Sequence, residues 1–160
     1  MDPLGTVRAI HVAPEAGAPM RPRETVEAIA GRGLRGDRYF AERGTYSASA
    51  RRTARDLTLI EAETIEALER EAGIDLPAGA HRRNLTTRGV ALDPLVGERF
   101  RVGAVVCEGV EPCAPCSYLE RLLDIDGLHD ALVDRGGLRA RIVDSGRIAV
   151  GDGISGPGAD

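Results

Sequence analysis

Short strand-like runs that end at glycine or proline constrain the fold of this chain more than any other feature. Apolar and β-branched residues form runs that predict strands, and these cover residues 6–13, 25–30, 57–60, 95–103, 105–110, 138–143 and 147–150. The fourth and fifth runs predict one hairpin, and a Ser145-Gly146 turn predicts another between the last two. We therefore expect a mainly β chain with short helices (α+β), most simply a strand-rich β-barrel with helical insertions.

Two stretches have helical spacing instead. Residues 61–72 carry apolar side chains at intervals of three and four, and Gly73 follows where a left-handed C-cap is expected. A shorter helix is predicted over residues 128–133. The longer helix is expected to be part of the scaffold.

The length and charge of the chain indicate one domain. The 160 residues suit a single hydrophobic core, which we place at residues 5–154, with a flexible tail at 155–160. No apolar run approaches the roughly 20 residues of a membrane helix, and the start of the sequence does not resemble a secretory leader, so we expect a cytoplasmic protein. A net charge of −4 and only two Phe, three Tyr and no Trp argue against binding to nucleic acid. The oligomeric state is left open.

All 21 basic residues are arginine, and the chain has no lysine. Covalent attachment of pyridoxal phosphate and the lysine of a phosphate-binding loop both require an ε-amine, so both are excluded. Each arginine can instead hold a phosphate or a carboxylate through two parallel hydrogen bonds.

The segment Glu111-Pro-Cys-Ala-Pro-Cys-Ser-Tyr-Leu119 is the strongest candidate for covalent chemistry. A strand-like run precedes it and helical spacing follows, so Cys113 and Cys116 fall where a strand is followed by a helix. Pro115 suits the first helical position, which puts Cys116 in the first turn. Unpaired N–H groups and the helix dipole favour a thiolate there. Cys107 alternates with Val105 in the preceding strand and is expected in the core.

The Cys-x-x-Cys unit has several interpretations. A zinc site is disfavoured, because no further His or Cys follows His129 at the required spacing. A reversible Cys113–Cys116 dithiol would make a thiol–disulfide oxidoreductase, although no parallel strand-helix-strand unit surrounds it. A single nucleophilic or metal-ligating thiolate at Cys116, with Cys113 as its resolving or supporting partner, is the third interpretation. A buried pair without chemistry is the fourth.

Two arginine-containing motifs are candidate anion sites. In His81-Arg-Arg-Asn84, neighbouring arginines in a strand would point to opposite faces, so one of Arg82 and Arg83 would face inward beside Asn84. In the second motif, paired glycines would let backbone N–H groups approach a ligand. A solvated charge cluster or a surface turn would explain either motif alone. The residues of the second motif are Arg135, Gly136, Gly137 and Arg139.

Two further segments could border such a site. Residues 31–37 hold three glycines and end in Asp37, which indicates positive backbone dihedrals or a close backbone approach. Residues 38–55 are rich in arginine and suit either an exposed loop or a lid over an anion.

These motifs, in this order, resemble the MOSC domain, the module found at the C-terminus of molybdenum-cofactor sulfurases and in small stand-alone bacterial proteins. The likeness runs from about Gly5 to Ile154. The matching positions are Gly31-x-Gly33-x-x-Gly36-Asp37, Leu57-Thr-Leu-Ile60, Arg82-Arg-Asn84, Leu95-x-Gly97, Pro115-Cys116-x-x-Leu119, Arg135-Gly-Gly137-x-Arg139-Ala and Gly151-Asp152.

The resemblance implies a strand-rich barrel that binds the molybdenum cofactor, with the key cysteine of the family at Cys116. That cysteine is thought to carry sulfur in some relatives and to ligate molybdenum in others that reduce N-hydroxylated compounds. The phosphate and pterin would be held by the two arginine motifs, with Asp37 in a neighbouring wall. The residues so implied are Arg82 or Arg83, Asn84, Arg135, Gly136, Gly137 and Arg139.

The resemblance also implies a partner. The chain has no lysine, aminotransferase-like domain, flavin motif or cysteine-rich iron–sulfur segment, so a sulfur or electron donor protein is expected. The alternatives are the thiol–disulfide oxidoreductase and a module that holds the cofactor without turnover.

Overall fold

The computed structural model describes residues 4–14, 18–37, 56–76, 79–113, 123–125, 127–132 and 135–156. Within these ranges most of the regular structure is β. The strands are β1 (Gly5–Val12), β2 (Arg21–Arg23), β3 (Thr25–Ile29), β4 (Gly33–Leu34), β5 (Leu57–Glu61), β6 (Leu85–Arg88), β7 (Arg99–Val102), β8 (Val105–Pro112), β9 (Leu138–Asp144), β10 (Gly146–Ala149) and β11 (Gly153–Ser155). The helices are α1 (Ala62–Ala72) and α2 (Leu128–Ala131), with a 3₁₀ turn at Asp93–Leu95.

Seven of the described strands close into a barrel, in the order β11-β7-β8-β9-β5-β6-β1, and pairing of β1 with β11 completes the ring. Neighbours run antiparallel except β5 and β6, which run parallel. β2 extends the sheet beside β1, and β10, β3 and β4 form a separate three-stranded sheet. The expected mainly β barrel is confirmed.

The barrel interior is filled by alternate side chains of the strands. Leu57 and Leu59 of β5, Phe100 of β7 and Leu138 of β9 belong to this buried cluster. Ile60 points to the other side of β5 and belongs to a second cluster with side chains of both helices. Both faces of β5 are therefore covered, which explains why its sequence is an unbroken apolar run.

Helix α1 was predicted within one residue of its start and exactly at its end. Gly73 has φ +67° and its N–H donates to the Glu69 carbonyl, which ends the helix in the left-handed conformation that glycine tolerates. The β7–β8 hairpin is also as predicted, although its first strand begins only at Arg99.

The predicted hairpin between the last two runs is wrong. β5 and β8 occupy the two edges of β9, so β10 has no edge of β9 to join. β10 pairs instead with β3, with Gly146 opposite Ala28. The Ser145 hydroxyl accepts a hydrogen bond from the Ala30 N–H at 2.8 Å, which supports this crossing between the two sheets.

At the C-terminal end, Ser155 lies in β11 opposite Arg101, and Gly156 is buried. The remaining positions of the expected tail, residues 157–160, lie outside the described ranges. None of the helices in the described part of the chain is long and apolar enough to cross a membrane.

Replacement of Leu59 by alanine tests the barrel core. Leu59 is fully buried between β6 and β9, and we expect Leu59→Ala to lower the free energy of unfolding by about 2–5 kcal/mol in denaturant titrations. Val150→Ala, at a residue that is 39% exposed, should change it by less than about 0.5 kcal/mol. Equal effects of the two substitutions would contradict the packing.

Candidate functional site

The buried amide of Asn84 joins three strands at the start of β6. Its Oδ1 accepts hydrogen bonds from the N–H and the hydroxyl of Thr58, both at 3.1 Å. Its Nδ2 donates to the His11 carbonyl at 3.2 Å, and its backbone N–H donates to the Thr58 hydroxyl at 3.0 Å. Asn84 thus bonds to β1 and β5 through its side chain.

Arg82 and Arg83 lie in a turn ahead of β6, so the prediction that they alternate within a strand is wrong. Arg82 has φ +63°, a left-handed conformation that is strained for residues other than glycine. The Arg82 N–H donates to the Gly79 carbonyl at 3.0 Å, and Nη1 donates to the Ala18 carbonyl at 2.6 Å. Arg82 is buried and Arg83 is half-buried.

Arg83 connects this turn to the paired glycines. Its Nε donates to the Gly136 carbonyl at 2.9 Å, and its Nη1 donates to the His81 carbonyl at 3.2 Å. The Cys113 N–H donates to the Gly137 carbonyl at 2.8 Å. Arg83 therefore contacts the Gly-Gly turn, and the same turn contacts the first cysteine of the Cys-x-x-Cys unit.

The two glycines are required for this close approach. A Cβ on Gly136 would clash with the Cys113 carbonyl, and one on Gly137 would clash with the Leu59 carbonyl. Gly137 also has φ +113°, which side chains rarely tolerate. We name the assembly of Arg83, Gly136, Gly137 and Cys113 the Arg83 junction.

Two buried histidine rings lie beside the junction. The rings of His11 and His81 are edge to face, with centroids 6.1 Å apart. Burial, the charge of Arg83 and the nearby His11 lower the pKa of His81 to about 3, and burial lowers the pKa of His11. In the described part of the chain, Nδ1 of His11 has no hydrogen-bond partner. Both rings are consequently neutral at pH 7.

The remaining arginines of the predicted site have other contacts. Arg135 donates from Nε to the Ala131 carbonyl at 2.7 Å and forms an ion pair with Glu71 at 3.4 Å, so it joins α2 to α1. Arg139 lies in β9 opposite Glu111 of β8 and Thr58 of β5. It therefore shares the outer face of the barrel with the Asn84 network.

Asp37 is buried at the end of the 31–37 segment. Its Oδ1 accepts a hydrogen bond from the Ala13 N–H at 3.1 Å, next to the end of β1. The carboxylate therefore ties the segment to the strand that carries His11. Residues 38–55, predicted as a loop or lid, lie outside the described residues.

The cysteines differ in their surroundings. Cys107 is in the barrel core, as expected, where burial and the charge of Asp56 raise the pKa of its thiol to about 12. Cys113 is a buried free thiol directly after β8. Cys116 and its predicted helix lie outside the described residues. No three His, Cys, Asp or Glu side chains within the described ranges are grouped so as to hold a metal ion.

Sequence reasoning missed His11, Thr58 and Thr86. His11 and Thr58 lie in predicted strands, whereas Thr86 lies in β6, which was not among the predicted strand runs; all three are more than nine-tenths buried. For His11 and Thr58, a polar residue inside an apolar run was the available signal, because buried polar groups need partners. The identity of those partners depends on contacts between residues far apart in the sequence.

A model of the MOSC domain family matches residues 10–155. Among curated proteins, none matches the sequence. The matched span includes every residue of the Arg83 junction, both histidines and Cys116.

Solved structures share the fold at low sequence identity. The YuaD protein of Bacillus subtilis is 17% identical with a TM-score of 0.76, and the match covers 94% of this chain and 93% of that one. YiiM of Geobacillus stearothermophilus is 19% identical with a TM-score of 0.73, over 95% and 74% of the two chains. YiiM of Escherichia coli is 18% identical with a TM-score of 0.65, over 100% and 71%. These likenesses establish the fold alone.

The burial of Cys107 can be tested by alkylation. Because its pKa is raised to about 12 and the thiolate is the reactive form, we expect no modification of Cys107 in the folded protein at mildly alkaline pH. Modification should become complete in denaturant. Fragment-ion mass spectrometry of the peptide that contains it measures both states, and rapid labelling of the folded protein would contradict the burial.

The histidine pair predicts a loss of stability in acid. His81 has a pKa of about 3 in the folded protein against an ordinary value of 6.5, so between these values the unfolded chain binds the extra proton. The contribution of His81 to stability is therefore present above pH 6.5 and declines as the pH falls toward 3. His81→Asn should show a shallower loss over that window in denaturant titrations at several pH values. Identical pH slopes in the two proteins would refute the assignment.

Proposed function

The chain belongs to the MOSC domain family, and we propose that it binds the molybdenum cofactor and acts through the thiolate of Cys116. The observation that carries this proposal is the Arg83 junction, where a guanidinium meets a glycine turn at the end of the strand that leads to Cys116. In this proposal Arg83 is the principal anion-binding group.

The residues of the junction fit a phosphate-bearing ligand. Nε and Nη1 of Arg83 bind carbonyl groups of the chain itself, and within the described residues Nη2 has no hydrogen-bond partner and Arg83 forms no ion pair with a carboxylate. Nη2 lies 3.6 Å from the position that a Cβ on Gly136 would occupy, so it is beside the turn. A guanidinium with a remaining donor is suited to a phosphate oxygen.

The other predicted residues take supporting parts in the proposal. Asn84 holds the chain at the start of β6, Arg82 fixes the turn, and Arg135 and Arg139 contribute positive charge from β9 and the segment before it. Asp37 secures the neighbouring segment to β1. Their present contacts are internal to the chain, which is why we give the first contact with phosphate to Arg83.

The sequence supports a role for Cys116 beside the junction. Cys116 follows Cys113 by three residues, three residues of extended chain span at most about 11 Å, and Cys113 adjoins Gly136 and Gly137. A soft thiolate suits a soft metal centre or the transport of a sulfur atom. When bound, the cofactor would supply a redox-active molybdenum centre.

A partner protein completes either activity. As a sulfur carrier, Cys116 would receive sulfur from a donor protein, and as part of a reductase of N-hydroxylated compounds the protein would receive electrons from one. Both depend on a free thiolate, which a reducing cytoplasm maintains.

Two substitutions separate binding from chemistry. Arg83→Gln removes the charge from the proposed phosphate contact, and we expect cofactor binding to weaken by about 10- to 100-fold, since a hydrogen bond to a charged group is worth about 1.5–3 kcal/mol. Cys116→Ser should bind cofactor but show neither a persulfide nor a molybdenum–sulfur bond to the side chain. Binding is measured as molybdenum retained per chain, and the sulfur by intact-mass and X-ray absorption spectra.

Controls distinguish the alternatives. Arg147→Gln, at an exposed position of β10, should bind cofactor as the unaltered protein does. Equal loss of activity in Cys113→Ser and Cys116→Ser, with a reversible disulfide between them, would support a thiol–disulfide oxidoreductase. Full function of a variant that lacks both cysteines would indicate a binding module. Unchanged binding by Arg83→Gln would remove Arg83 from the site.

A further inference from the structure

We propose that His81 is a positioning residue: as the neutral ring with its proton on Nε2, it fixes the backbone of Arg83 and so aims the guanidinium at the Gly136-Gly137 turn. The consequence for ligands rests on the proposed anion-binding role of Arg83. The positioning of Arg83 depends only on the contacts of His81 within the chain.

The contact between the ring and the backbone determines the tautomer. The Arg83 N–H donates to Nδ1 of His81 at 2.9 Å, so Nδ1 must present a lone pair. In a neutral imidazole the proton is then on Nε2. Nε2 lies 3.2 Å from the Thr86 hydroxyl, which is therefore the acceptor of that N–H. Protonation of Nδ1 would remove the bond to Arg83, and burial with the adjacent positive charge opposes it.

This contact has the geometry of an Asx turn, in which a side chain accepts a hydrogen bond from the backbone N–H two residues later. Asparagine and aspartate usually make it, and here a histidine does. The imidazole offers something that neither of them can, because its second nitrogen reaches Thr86 in β6. The turn is thereby tied at both ends to a strand of the barrel.

The same turn contains the costly conformation of Arg82. A left-handed conformation is strained for a residue other than glycine and persists only where its surroundings hold it. The His81 ring binds the backbone N–H of Arg83, the residue after Arg82. The His81 carbonyl also accepts a hydrogen bond from Arg83 Nη1 at 3.2 Å. With Nε bound to the Gly136 carbonyl, two of the three guanidinium nitrogens are fixed, and Nη2 is presented in one direction.

Two substitutions at this position separate positioning from simple filling of space. In His81→Asn, Oδ1 stands the same number of bonds from Cβ as Nδ1 does, so it can accept the Arg83 N–H and cannot reach Thr86. In His81→Gln, the amide extends one bond further, so it can reach Thr86 but does not reproduce the Asx-type bond. Thr86→Val removes the other ring contact without changing the shape of residue 86.

The tautomer is tested directly on the unaltered protein. Nitrogen-15 NMR of the imidazole at neutral pH should show Nδ1 unprotonated and Nε2 protonated, and the Arg83 amide should exchange slowly with solvent. We expect slow exchange to persist in His81→Asn and Thr86→Val and to be lost in His81→Gln. A protonated Nδ1, or an Arg83 amide that exchanges as fast as an exposed one, would overturn the proposal.

The effect on binding is measured with inorganic phosphate as the probe. His81→Asn should bind phosphate within about threefold of the unaltered protein, and His81→Gln about tenfold more weakly, or about 1.4 kcal/mol. If glutamine, the closer match in size to histidine, bound as well as asparagine or better, His81 would only fill space and the positioning role would fail. If the unaltered protein bound neither phosphate nor the molybdenum cofactor while the NMR results were as expected, the proposed function would fail and His81 would still be shown to position Arg83.

Discussion

The structure depends on the hydrogen bonds that Asn84 makes where β5 and β6 pair, the one parallel pair among the described strands of the barrel. β5 and β6 run side by side in the same direction, so the chain must return to the other end of the sheet before β6 begins, and α1 lies in that connection. Asn84 fixes the start of β6, because its amide binds Thr58 of β5 and the His11 carbonyl of β1. Each such bond adds only about 1 kcal/mol net, but a buried amide left without partners would cost more. Asn84 therefore both fixes the start of β6 and provides hydrogen-bond partners for the buried polar groups around it.

The candidate site follows from that anchor. With Asn84 fixed, residues 79–83 must turn across the outer face of the barrel, where His81 bonds to Thr86 and Arg83 reaches Gly136. Gly79 allows the turn to lie against β1, since a Cβ there would be 2.7 Å from Cδ2 of His11. The close contacts at Gly136 and Gly137 leave no room for side chains on the other half of the junction. The hydrogen bonds that join Asn84 to β1 and β5 thus lie next to the proposed ligand-binding groups in the same turn.

Local patterns in the sequence predicted the features that depend on interactions between neighbouring residues. The strand periodicity, the helix over α1 and its cap at Gly73 depend on neighbouring residues, and they were found as expected. The β9–β10 hairpin failed because the turn signal at Ser145 and Gly146 is local, whereas occupation of both edges of β9 by β5 and β8 is not. Alternation of Arg82 and Arg83 failed because a positive φ at arginine is rare and has no sequence signature. Asn84 could be recognised as a polar residue of interest, but its partner Thr58 is 26 residues away.

The distribution of charge supports the proposal that chemistry at sulfur takes place after β8 and not inside the barrel. At Cys107 the apolar core and Asp56 oppose ionisation, so a thiolate there would have nothing to stabilise it. Directly after the same strand, Cys113 bonds to the glycine turn that Arg83 contacts, and the charge of Arg83 adds to burial in lowering the pKa of His81. A half-buried guanidinium acts through a medium less polar than water, so its field weakens less with distance than that of an exposed arginine. In the proposed function, the charge of Arg83 that disfavours a proton on His81 would favour the negative charge of a bound phosphate, and of a thiolate brought close to it.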